Sequence, residues 1–263
     1  MAIKIWTGAT SSDLTVSTNW SPANQPTAGD DVIITGNVGI TGAVLSASGN
    51  LASFTIRDYT GAIGSESADL IVDLATSSLV NIDTSGKAYL DFNASDVDVN
   101  VFGTQAAQGS ARGLHLKGAG LNSLNAFNSS SVLLLETLDD DINTYSSSVT
   151  ITTTAGADAA DFSGPGRLIA YGDLTNIFAN GSQVDYYGGA VTTMQADNGA
   201  IIYHWSGSNV TNANAYGGTI DGSASNETVT VTNTNLNGGG RVLPGRNWTF
   251  TNDPDQPYSL VAI

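Results

Sequence analysis

The sequence predicts an all-β chain, a single right-handed parallel β-helix of short coils with a cap at each end. Three observations predict it. The first is a weak repeat of about seventeen residues that runs from Val132 through VLLLETLDDDINTYSSS, VTITTTAGADAADFSGP, GRLIAYGDLTNIFANGS, QVDYYGGAVTTMQADNG and AIIYHWSGSNVTNANAYGG. The second is internal to each segment, which opens on a β-prone run, carries two small or apolar residues three or four positions apart, and closes on Ser, Asn or Gly. The third is composition: 30 Gly and long runs of Ser, Thr, Asn and Ala disfavour helices and favour short strands between frequent turns. A coil this short cannot bury its inward side chains alone, so neighbours must stack on it as parallel strands about 4.8 Å apart. The hand follows from the preference of parallel strand connections.

Residues 1–31 read as the N-terminal cap, because a terminal rung would otherwise expose apolar core and unpaired backbone. Trp6 and Trp20 suit that role, with Pro22 and Pro26 fixing the chain direction after them. The first solenoid strand is expected at Asp31-Val-Ile-Ile-Thr, and the solenoid body at 32–240. Its coils are irregular before Leu114 and regular after it. The pairs Leu138 and Ile142, Ala157 and Ala160, Leu174 and Ile177, Val191 and Met194, and Val210 and Ala213 are expected to point inward. Counting segments gives roughly eleven rungs, hence a rod about 50 Å long. Gln105–Gly113 reads as a loop between coils, since the β-pattern resumes at Leu114-His-Leu. Residues 241–263 break the pattern with Trp248, Phe250, three prolines and an apolar ending from Tyr258 to Ile263, which suits a C-terminal cap or an oligomer contact.

Charge narrows the partners. The 24 Asp and Glu outnumber the 8 Lys and Arg, and the net charge of −16 repels nucleic acid and anionic membrane. With no cysteine there is neither a disulfide frame nor a thiolate metal site. The N-terminus MAIKIWTGATSSD has no apolar run of signal-peptide length, and no stretch approaches the roughly twenty apolar residues of a membrane span.

Catalytic and metal-binding patterns are weak. Asp139, Asp140 and Asp141 could supply part of a calcium shell, but alternation along the backbone sends adjacent carboxylates in different directions. Polysaccharide lyases and hydrolases need facing carboxylates, with a basic group for acidic sugars, whereas Arg57, Lys87, Arg112, Lys117 and Arg167 stand isolated. His115 and His204 are far apart and form no relay or metal pair. No cofactor, metal site or enzymatic activity is expected. The Asn-X-Ser/Thr sequons at Asn93, Asn128, Asn180, Asn209, Asn226 and Asn247 are what an Asn-, Ser- and Thr-rich chain produces by chance.

The clearer constellation is aromatic. Tyr171, Tyr186, Tyr187, Tyr203 and Trp205 recur at about the coil length. Aligning Leu168, Val184 and Ile201 places Tyr171, Tyr187 and His204 on one ladder, flanked by Tyr203 and Trp205. Stacked amphipathic rings on a flat face can bury a subunit interface or bind a surface glycan; inward stacking is the ordinary alternative.

At Trp6-Thr-Gly, Asn19-Trp20-Ser-Pro, Pro26 and Asp30-Asp31-Val-Ile-Ile the chain resembles the entry motif that precedes β-helical repeats in bacterial autotransporter-like adhesins and bacteriophage structural proteins. Gly245-Arg-Asn-Trp-Thr-Phe-Thr resembles the closing strand of the same proteins. The resemblance implies a virion component on the particle exterior, a capsid decoration protein or a fibre, in contact with the major capsid protein or other virion proteins; a homotrimer is expected because it would bury the aromatic face and the apolar C-terminus in a closed cyclic assembly. The alternatives it leaves are a carbohydrate-binding adhesin or receptor-binding fibre module, extracellular or on a cell surface, and thirdly a polysaccharide-degrading enzyme.

Overall fold

The computed structural model describes residues 1–41, 44–45, 50–93, 96–104, 113–118, 120–128 and 131–252. The expected loop at Gln105–Gly113 thus falls almost wholly outside the described residues, as does the apolar ending beyond Asn252. The protein is an all-β parallel solenoid of about ten turns, with one 3-10 turn at Ser17–Asn19. No helix among the described residues is long and apolar enough to cross a membrane. The chain forms two compact units, Met1–Asp139 and Asp140–Ile263.

In the first unit the strands are β1 (Ile3–Trp6), β2 (Trp20–Ser21), β3 (Asp31–Gly36), β4 (Val44–Leu45), β5 (Leu51–Tyr59), β6 (Leu70–Thr84), β7 (Ala88–Asn93), β8 (Val97–Thr104), β9 (Leu114–Lys117), β10 (Leu121–Phe127) and β11 (Ser131–Leu134). One parallel ladder runs β1, β3, β5, the C-terminal half of β6, β8 and β10. The other runs β4, the N-terminal half of β6, β7, β9 and β11. β6 serves both because it turns a corner at Ser77, which adopts φ 58°, while the Ser78 hydroxyl donates to Ala75 O at 2.6 Å. Small polar residues at the corner supply the turn without breaking the strand.

The solenoid begins earlier than the sequence pattern indicated. β1 lies inside the segment read as cap, yet it pairs in parallel with β3, Lys4 opposite Val32 and Trp6 opposite Ile34. The cap proper is the excursion between β1 and β3, which returns as β2 antiparallel to β1, Trp6 opposite Trp20. The two indoles meet edge to face at 5.4 Å, and both are buried. Asn19, wholly buried, ties the excursion together. Its Oδ1 accepts from the Thr10 and Ser11 backbone amides and the Thr10 hydroxyl, and its Nδ2 donates to Ser11 Oγ and Asp13 O. The Asp30 carboxylate likewise accepts from the Ala2 and Thr27 amides and the Thr27 hydroxyl. Burial alone would raise its pKa; these bonds and the charge of Lys4 outweigh that and hold it low.

In the second unit one ladder comprises β12 (Asp141–Tyr145), β14 (Ala157–Ser163), β16 (Leu174–Asn180), β18 (Val191–Asp197), β20 (Val210–Tyr216), β22 (Thr228–Asn237) and β24 (Asn247–Phe250). The other comprises β13 (Ser148–Ile151), β15 (Arg167–Ala170), β17 (Gln183–Tyr186), β19 (Ile201–His204), β21 (Thr219–Asp221) and β23 (Arg241–Leu243). Every expected inward residue, from Leu138 and Ile142 to Val210 and Ala213, is buried. They stand in columns: Ala160, Ile177, Met194 and Ala213 occupy equivalent positions on successive rungs. On the outer face of the same ladder Asn233 donates to Asn212 at 2.9 Å and Asn235 to Asn214 at 2.8 Å, so stacked carboxamides satisfy one another.

Candidate functional site: an aromatic strip on the second unit

The strip is built by the ladder from β13 to β23. Along β15, β17 and β19 alternation sends Leu168, Val184 and Ile202 inward on one column and Ala170, Tyr186 and His204 inward on the next. Ile169, Asp185 and Tyr203 form the outward column between them. Tyr171, Tyr187 and Trp205 follow directly, and their amides continue the ladder by donating to Ile151, Ala170 and Tyr186 carbonyls. A glycine follows each of the two tyrosines: a Cβ at Gly172 would collide with Ala155 O, and one at Gly188 with Gly172 O. The backbones of adjacent coils therefore touch at this corner, which keeps the preceding aromatic residues in register.

The rings of Tyr171 and Tyr187 stack at 4.9 Å and 20°, and those of Tyr187 and Trp205 at 6.1 Å and 9°. Tyr203 stacks beside Trp205 at 5.9 Å. Tyr171 and Tyr187 are 46% and 41% exposed, an uncommon exposure for residues of that size. Beneath them Asp185 is buried and accepts from Arg167 Nε at 2.8 Å, Gln183 Nε2 at 3.0 Å and Trp205 Nε1 at 3.4 Å. Burial first, then the charges of Asp185 and Tyr171, push the Tyr187 hydroxyl up, against Arg167. The carboxylate is thus occupied in fixing the strip, with its guanidinium partner lying across the sheet.

The structure corrects two details of the expected ladder. Val184 pairs with Ile202, not Ile201, so the third member of the outer stack is the half-buried Trp205, and His204 points inward. Tyr186 is not part of the face: it is wholly buried, its hydroxyl donates to Gly189 O at 2.9 Å, and burial pushes its pKa to about 12. Tyr186 lies two residues after the inward Val184 and shares its face by alternation, whereas the place of His204 follows from rung length. Successive rungs differ in length, Leu168 to Val184 spanning 16 positions and Val184 to Ile202 spanning 18, and a slip of one residue exchanges the faces of a strand.

In the interior Tyr186 and His204 of these coils and Trp248 of β24 form a continuous aromatic core. His204 lies 5.9 Å from the Tyr186 ring and 5.5 Å, edge to face, from Trp248. Trp248 itself fills the space a side chain on Gly222 would need. Of the residues expected to cap, Trp6, Trp20 and Trp248 are buried, and Phe250 is half-buried opposite Val231. Sequence reasoning missed a second outer aromatic pair, exposed Phe102 on β8 stacked with half-buried Phe127 on β10 at 5.6 Å in the first unit, because the rungs there are too uneven to align.

The remaining candidates do not converge. Asp141 has its pKa raised by burial first and then by Asp140, Asp158 and Asp161, and no group of His, Asp or Glu among the described residues could hold a metal ion. His115 packs against Tyr89 at 4.3 Å, and Lys117 pairs with Asp69 and Asp91. Arg112 lies outside the described residues. Comparison with protein-family models, curated proteins and solved structures finds no match to this chain.

Proposed function

We propose that this protein is a non-enzymatic structural protein of a bacteriophage virion, a capsid decoration protein on the particle exterior that assembles as a homotrimer through the aromatic strip. The observation that carries the reading is the strip itself: exposed Tyr171 and Tyr187 stack in line with half-buried Trp205, three rings in succession along one ladder of a chain whose outer face is mostly Asn, Thr and Asp. Near-parallel rings cover part of one another's faces, and the partner offered is then a protein surface that packs on ring edges and hydroxyls. Trp6 with Trp20, and Trp248, cover inward columns at the first and last described rungs, which disfavours growth by stacking coil on coil and favours a closed ring of lateral contacts. The assignment to a virion rests on the resemblance of the segments around Trp20 and Trp248, and an acidic exterior suits a protein that must not bind packaged nucleic acid.

Quantitative mass spectrometry of purified particles tests the assignment. A decoration protein is expected in a fixed stoichiometry to the major capsid protein, in multiples of three per site. Its absence from particles, together with Tyr187-dependent retention on a glycan array, would transfer the strip to carbohydrate recognition.

A further inference from the structure

We propose that Lys4 and Asn24 form an intramolecular isopeptide bond that staples the N-terminal cap to the first solenoid strand. Lys4 occupies an inward position of β1, opposite Val32, and is only 3% exposed. Its ammonium donates to Asn24 Oδ1. Among the described residues no carboxylate lies within ion-pairing distance of that nitrogen, so a cation with three donors is buried against one neutral acceptor. Asp30, 4% exposed, is close enough for the charge of Lys4 to act on it, but its oxygens are already taken by Ala2 and Thr27. Conversion of the ammonium into an amide removes the costly buried charge.

The backbone holds the two groups together. β2 runs antiparallel to β1 with Ile5 opposite Ser21, which brings the next residues of the returning chain alongside Lys4, and the Asn24 amide closes a tight turn onto Pro22 O at 2.7 Å. Such fixed proximity replaces a bimolecular encounter by an intramolecular one. In the reaction the Lys4 nitrogen, having given up a proton, adds to the side-chain carbonyl carbon of Asn24. The new C–N bond forms as the bond to Nδ2 breaks. Two of the three ammonium protons leave with Nδ2 as an ammonium ion, and no electrons or co-reactant are required. Asn24 is exposed, so the leaving ammonia escapes to solvent.

The test is the intact mass of the full-length folded protein after prolonged incubation, followed by tandem mass spectrometry of a digest. The expected result is a chain lighter than its sequence by one ammonia, with a branched peptide joining residues 4 and 24. Lys4→Arg and Asn24→Ala should each restore the sequence mass. Succinimide formation at Asn180-Gly, Asn198-Gly or Asn237-Gly also loses ammonia but yields no branched peptide and persists in both variants. Full sequence mass, or ammonia loss without the branched peptide, overturns the proposal.

Discussion

Ile177 stands mid-column between Ala160 and Met194, in an interior only as wide as the coil. Ile177→Asp places an unpaired carboxylate there and is expected to cost on the order of 4 kcal/mol, read as a fall in the thermal or denaturant midpoint. An unchanged midpoint would show that the column does not exist. His204 gives a prediction in pH. Burial depresses its pKa, only partly opposed by the bond from its Nε2 to Ser208 O at 2.9 Å, and Asp185 and Asp221 on the neighbouring strands belong to the outward column. The unfolded chain therefore takes up the proton first. Stability is full above the unfolded value of about 6.5 and declines as pH falls below it. His204→Gln should flatten the loss of stability between about pH 7 and 5, measured by urea unfolding; an unaltered slope would place the acid sensitivity elsewhere. Asp30, whose pKa is depressed, acts in a separate window, losing its contribution only as pH falls below about 3.9. At this scale the inward pairs were legible because they are the one constant of each coil. The distinction between Tyr186 and Tyr187 was not, because it turns on a single residue of register.

Two elements carry more than their sequence suggests. The cap excursion depends on Asn19, a residue whose type in a Ser- and Asn-rich chain gives no signal that five side-chain hydrogen bonds converge on it. Asn19→Ala leaves several buried groups unsatisfied and is expected to cost about 3 kcal/mol, with early loss of hydrogen-exchange protection in β1 and β2. Uniform protection loss across the chain would show instead that the cap is no separate element. The aromatic strip was legible as a recurrence of rings, and the Tyr-Gly steps at 171–172 and 187–188 mark its corner. Its membership required the strand register, since rung lengths of 16 and 18 hide behind an average of about seventeen. Gly172→Ala should therefore destabilise through backbone collision and disturb the Tyr171–Tyr187 stack, visible in the near-ultraviolet dichroism.

For the molecule as a whole, the same composition that makes a solenoid legible makes a function hard to read. Small polar residues fill the outer face with stacked amides and hydroxyls and leave few groups whose chemistry would name a substrate. A net charge of −16 also opposes association between copies, so any self-assembly must bury an apolar contact large enough to overcome it. The exposed strip is the feature suited to that. The most direct test is the mass of the purified protein by light scattering over a range of concentrations, for the unaltered chain and for Tyr187→Glu. The expected result is a trimer that the substitution converts to monomer with the far-ultraviolet β-spectrum intact. A monomer at high concentration, or a trimer indifferent to Tyr187→Glu, would contradict it.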